Sequence, residues 1–171
     1  KSSAAPMEIE AANIAEEVQQ QTQFKPQTLA EKKLIYIRPL RFFNEVQTNN
    51  YRALLQEQFS GGDYFYITED ESMADYVVEP YVETAHVDSV DAKNRKMQIS
   101  LQLEIKALHD ADFAPLNEQQ NHFILFAADK SEQEVADTLI RKLLSRATVA
   151  VNEQFNHRLA AELENEKRGN R

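Results

Sequence analysis

The chain contains no cysteine, no tryptophan and only three glycines among 171 residues. Without cysteine it has no disulfide framework, no thiolate nucleophile and no cysteine-ligated zinc, and cysteine usage says nothing about its redox compartment. Three glycines are too few for an all-β barrel or sandwich built on frequent tight turns. No apolar run approaches the roughly 20 residues of a membrane-spanning helix. Positive charge is also scarce: 28 acidic residues against 19 basic ones give a formal net charge of -9. Lys32-Lys33, Arg38, Arg41, Lys93, Arg95-Lys96 and Arg141-Lys142 are scattered among acids, so no basic face is expected and nucleic acid is not an expected partner. What the chain does have is a 42% hydrophobic fraction with nine Phe and six Tyr, enough for one aromatic-packed core. The length fits one domain with a tether. A start at Lys1 rather than Met is compatible with removal of a targeting peptide, and so permits export.

Residues 1–31 are rich in Ala, Glu and Gln, and are expected to form a flexible or weakly helical tether, with a weak helix over Pro6–Gln21. The ordered domain should begin near residue 32 with the buried strand in "KKLIYIRPL", which Pro39 ends. "RFFNEVQ" reads as a loop. Asn49 or Thr48 can cap a helix carrying Tyr51, Leu54, Leu55 and Phe59, and Gly61-Gly62 stops it. "DYFYITE" is the next strand, followed by "ADYVVEPYVETAHVDSV", in which Pro80 must occupy an edge, a bulge or a bend. In "MQISLQLEIKAL", Met97, Ile99, Leu101, Leu103, Ile105 and Ala107 alternate with polar residues, which predicts a strand with one dry face and one wet face. "HDADFAPLNEQQ" reads as a polar loop and "HFILFAA" as another strand. Ser131 and Glu134 match a capping box, opening a helix with apolar residues at helical spacing to Phe155. Residues 158–171 lose hydrophobic density, which predicts a solvated, fraying end. The expected fold is α+β: a two-layer sandwich in the order β-α-β-β-β-β-α, with a mostly antiparallel sheet of about four or five strands and two helices on one face of a domain over 32–157.

Catalytic patterns are missing. His86, His109, His122 and His157 fall in different elements with no i, i+4 pair, so no metal site is expected. Ser60 before Gly61-Gly62 reads as a helix exit, Glu69-Asp70-Glu71 as a solvated turn, and no Lys-Ser/Thr follows the glycine pair to hold a phosphate. No cofactor and no enzymatic activity are expected. Binding signals are somewhat clearer. Phe42 and Phe43 in the loop after the first strand, with Tyr64, Tyr66 and Tyr81 along the sheet, are the candidate partner contacts, since tyrosine suits surfaces that are apolar in body and polar at the tip. Pro80 suggests a guarded sheet edge, and edges are where peptide strands add.

The order "LIYIRPL", a helix ending in Phe59, "DYFYITE", then Ala74-Asp75-Tyr76-Val77-Val78 leading into a hairpin and a closing long helix resembles a bacterial envelope accessory lipoprotein domain over roughly residues 33–156. The group includes the TolB amino-terminal domain, LpoB, CsgG and, more loosely, LptE. Here Glu79-Pro80 replaces the usual Gly after the apolar pair, and the closing helix is longer. The resemblance implies a non-enzymatic periplasmic protein that binds a partner protein of an envelope complex. Membrane contact would come only through a lipid anchor upstream of Lys1, at the outer membrane. Two rival expectations come from the residues themselves. One is a cytosolic adaptor that oligomerises through the 131–163 helix and its Leu143 and Leu144. The other is a small-ligand binder or hydrolase, which would need a concave site gathering His109 with several acids.

Overall fold

The strand with the cleanest alternation lies at the centre of a three-strand meander. The computed structural model describes residues 24–28 and 31–169, and the weak helix expected over Pro6–Gln21 falls outside them. Along the chain come β1 (Lys33–Ile37), β2 (Leu40–Phe42), β3 (Gln47–Thr48), α1 (Arg52–Phe59), β4 (Phe65–Ile67), a 3-10 turn at Glu71–Met73, β5 (Tyr76–Ser89), β6 (Asn94–Ala107), β7 (Leu116–Ala127) and α2 (Glu132–Gly169). The seven strands among the described residues join one sheet. The long β5–β6 and β6–β7 ladders are antiparallel, while the short β1 runs parallel to β4 and β5, and β2 parallel to β5.

The α+β architecture follows from burial. Met97, Ile99, Leu101, Leu103 and Ile105 of β6 point inward at 3% exposure or less, against Val135, Leu139, Leu143, Ala147 and Phe155 of α2 and Leu55 and Phe59 of α1 in one continuous core. Leu143 and Leu144 are fully buried, so the residues proposed for a coiled-coil face are inside the domain.

Four local expectations need correction. The sheet has seven strands rather than four or five, because "RFFNEVQ" supplies β2 and β3. Strands this short cannot display alternation; they exist because β5 offers Tyr81 and Val82 as partners for Arg41 and Phe42. "LNEQQ" belongs to β7 rather than to a loop, since Leu116–Gln120 pair with Leu101–Ile105 of β6. Pro80 is not at an edge. Val78 O accepts the Arg38 N–H on the β1 side, so Pro80, of the same parity, turns its missing donor toward the gap between β1 and β2 and leaves the β6 ladder untouched. Finally, α2 continues to Gly169, with Leu159, Ala160 and Leu163 buried beyond the point where a fraying end was expected.

The helix ends show which signals act. Ser131 caps α2: its Oγ accepts the Glu134 N–H at 3.4 Å and its carbonyl accepts the Val135 N–H at 3.2 Å. For α1, Tyr51 occupies the cap position without a side-chain bond, and the Asn49 carbonyl takes the Arg52 N–H instead. Gly61 follows with φ +79, the left-handed conformation that glycine adopts freely. Part of the expected tether is docked: Phe24 packs against the core, Lys167 lies 5.5 Å from its ring centroid, and Glu31 pairs with Lys167 at 3.6 Å.

Candidate interaction surface

β2 and β3 form a small hairpin, closed by the Phe42 N–H donating to Val46 O and the Glu45 N–H donating to Phe42 O, both at 2.8 Å. Its inner side faces the first three turns of α2. Between them lies an open groove of about 710 Å³, walled by Phe42, Thr48 and Tyr51 on one side and Gln133, Asp137 and Ile140 on the other. Phe43 and Val46, on the turn of the same hairpin, are 52% and 54% exposed. Burial, and then the adjacent Asp137, push the Tyr51 hydroxyl up to about 12, with Arg141 opposing. Tyr51 is therefore neutral at physiological pH. Asp137 is paired with Arg141 at 3.0 Å, so the groove offers an aromatic side with Glu134 as the acid at its rim.

Glu45 sits in this turn with φ 68, a conformation that costs a side-chain-bearing residue about 1–2 kcal/mol. Its ion pair with Arg41, at 3.3 Å, is exposed and contributes little. Glu45→Gly is expected to raise unfolding stability by about 0.5–1 kcal/mol, read from urea denaturation.

The sequence-predicted contacts are separated by the fold. Phe42 is half-buried in the groove wall and Phe43 is at the tip of the hairpin. Tyr64 is inside the domain at 8% exposure. Tyr66 and Tyr81 lie on the outer, helix-free face, covered by Lys32 at 4.4 Å and Arg41 at 4.1 Å from their ring centroids. Only Phe42 and Phe43 share one feature, the hairpin beside the groove. Sequence reading missed Thr48, Tyr51, Gln133 and Asp137 as neighbours, since only pairing and helix packing bring these segments together.

Between Tyr66 and Tyr81, the outer face carries a charge cluster. Glu79 accepts from Arg38 Nη1 and also faces Arg41 at 3.8 Å and Lys106 at 3.6 Å, while Arg38 Nε donates to Glu71 at 2.6 Å. Burial alone would raise the Glu79 carboxyl; Arg38, Lys106 and Arg41 together outweigh it and hold it below its usual value.

A second cleft, about 380 Å³, gathers His109 with Asp75, Tyr76, Asp110, Glu162 and Glu166. Two of its acids are occupied structurally. Asp75 accepts the Leu34 N–H at 2.8 Å, which explains the Ala-Asp-Tyr step as a tie across the top of the sheet. Glu162 accepts from the Tyr76 hydroxyl at 3.1 Å. Among the described residues no group of three or more His, Asp or Glu is arranged to hold a metal ion.

No family model and no curated protein matches the chain. The solved structures to which it is similar include bacterial lipoproteins. It shares 10% identity with lipoprotein GNA1162 of Neisseria meningitidis, covering 67% of this chain and 96% of that one at a TM-score of 0.37. With the rare lipoprotein B of Shewanella oneidensis the identity is 7%, covering 78% and 97% at a TM-score of 0.34. With PelC of Paraburkholderia phytofirmans, solved as a dodecamer, it is 17%, covering 74% and 94% at 0.39. At identities this low no residue role carries across. No described helix is long and apolar enough to cross a membrane.

Proposed function

We propose that the chain is a non-enzymatic accessory or assembly protein of the bacterial envelope, periplasmic and tethered at the outer membrane, which binds a partner protein of an envelope complex. The location rests on the sequence resemblance to the TolB amino-terminal domain, LpoB and CsgG, with an LptE-like role in lipopolysaccharide transport as the closest variant of the reading. The binding mode rests on one observation: the open groove between the β2–β3 hairpin and α2, with Phe43 and Val46 exposed beside it. Its aromatic side and Glu134 at its rim suit a segment that presents apolar side chains with a basic one.

A photo-crosslinking residue at Gln133, in the intact precursor expressed in its own cells, should give one product with an envelope protein. Thr138→Arg, which fills the groove from an exposed position, should abolish that product. A product insensitive to Thr138→Arg, or one obtained only from Gln98 on the opposite face, would remove the groove from this reading.

The His109 cleft favours a second reading, a small-ligand binder, because it assembles the concave site which that function requires. Amide shifts confined to His109, Asp110 and Glu166 on titration with small cationic metabolites, and absent in His109→Ala, would support it; an unchanged spectrum would reject it.

A further inference from the structure

Among the described residues the long free edge of the sheet is β7, which pairs there only with β6; the other flanking strands, β3 and β4, have two and three residues. The Ala128 N–H donates to Lys93 O, next to the Asn94–Ala127 pair. Ladder parity then directs the even-numbered residues of β7 to bond with β6 and turns the N–H and C=O groups of Asn117, Gln119, Asn121, Phe123 and Leu125 toward the free edge. The same residues present their side chains to the outer face, where Phe123 and Leu125 are 50% and 58% exposed.

Natural edges of this length usually carry lysine, proline or a bulge to prevent pairing. β7 has none of these, and its register with β6 is unbroken. Its one carboxylate is Glu118, held by Gln120 Nε2 at 3.2 Å, in a chain whose formal net charge is -9. Two copies can therefore meet along this edge without the like-charge repulsion that an acidic surface would bring. The edge also matches itself. Phe123 and Leu125 lie two residues apart on one face, so a two-fold axis through Ile124 places Phe123 of each copy against Leu125 of the other.

We propose that β7 is a homodimer interface, on which a second copy of this chain adds its own β7 antiparallel over residues 121–127, continuing the sheet and covering the apolar pair. This contact is independent of the groove beside α2. It leaves that groove open in both copies.

Sedimentation velocity of the intact chain over a concentration series should show a monomer–dimer equilibrium. Phe123→Lys combined with Leu125→Lys should weaken the dimer at least tenfold. Leu125→Pro removes an edge-facing N–H and no ladder bond to β6, so it should abolish the dimer while the far-ultraviolet circular dichroism stays unchanged. Because the chain has no cysteine, Phe123→Cys mixed with Leu125→Cys should form a disulfide-linked dimer on mild oxidation in higher yield than either alone, which reads the register. A chain that is monomeric at every concentration would overturn the proposal, including the case in which a strand of another protein uses the edge. A dimer that survives both Leu125→Pro and the double lysine variant would overturn it as well, because it would be using another face.

Discussion

Phe155→Ala is expected to lower the unfolding free energy by about 4 kcal/mol, toward the upper part of the range for deleting a buried aromatic side chain. Phe155 is fully buried on the sheet-facing side of α2, with the Phe65 ring at 5.3 Å and the Tyr76 ring at 5.1 Å, Tyr76 in turn meeting Phe113 at 4.9 Å. Removing it takes the shared member from two ring pairs and leaves a void that helix, strand and loop enclose from three directions, so the site cannot collapse cheaply. For a chain of this size the loss corresponds to a melting temperature lower by about 8–16 °C. Val149 is the control: it lies on the same helix, six residues earlier, and is 72% exposed. Val149→Ala should change stability by less than about 0.5 kcal/mol. Equal effects at the two positions, measured by urea denaturation, would mean that α2 does not pack on the sheet through the face described.

Glu79→Gln is expected to cost about 2 kcal/mol at neutral pH. The Glu79 side chain is 19% exposed and stands among Arg38, Arg41 and Lys106. Glutamine keeps the shape but removes the carboxylate that three cations share, leaving Arg38 with Glu71 and Arg41 with the exposed Glu45 as their remaining acidic partners. The pH dependence has a definite sign. The folded-state pKa of Glu79 lies below the ordinary glutamate value of 4.5, so its stabilisation is fully present above the unfolded value and is lost as pH falls through the lower, folded one. The stability gap between wild type and Glu79→Gln should be constant from about pH 6 to 8, begin to close near pH 4.5, and vanish below the folded pKa. A gap that persists at about pH 2 would assign the effect to packing rather than to charge.

These two residues differ in how well the sequence reveals them. Phe155 falls in the apolar series that runs from Val135 through Leu139, Leu143 and Val151, and that helical spacing by itself marks it as a core residue. Glu79 reads as one more polar residue beside a proline. Its neighbours come from the residue just after β1, from β2 and from β6, and only the parallel pairing of β1 with β5 places Arg38 against it. The groove behaves as Glu79 does. Phe42 and Phe43 stand out as an aromatic pair in "RFFNEVQ", yet nothing in that stretch shows that it folds as a hairpin or that Gln133 and Asp137 stand opposite.

Local periodicity carried most of the architecture. The period-two pattern of β6, the helical spacing and capping box of α2, and the glycine after α1 each act within a few residues, so they are legible in one dimension and together require a sheet with helices on its dry face. Tertiary structure alone decided the short strands β2 and β3, the inward place of Pro80, the burial of Tyr64, the groove, and the free edge of β7. Each of these depends on which distant segment lies alongside, and that choice is set by the summed burial of the whole core rather than by any local run of residues.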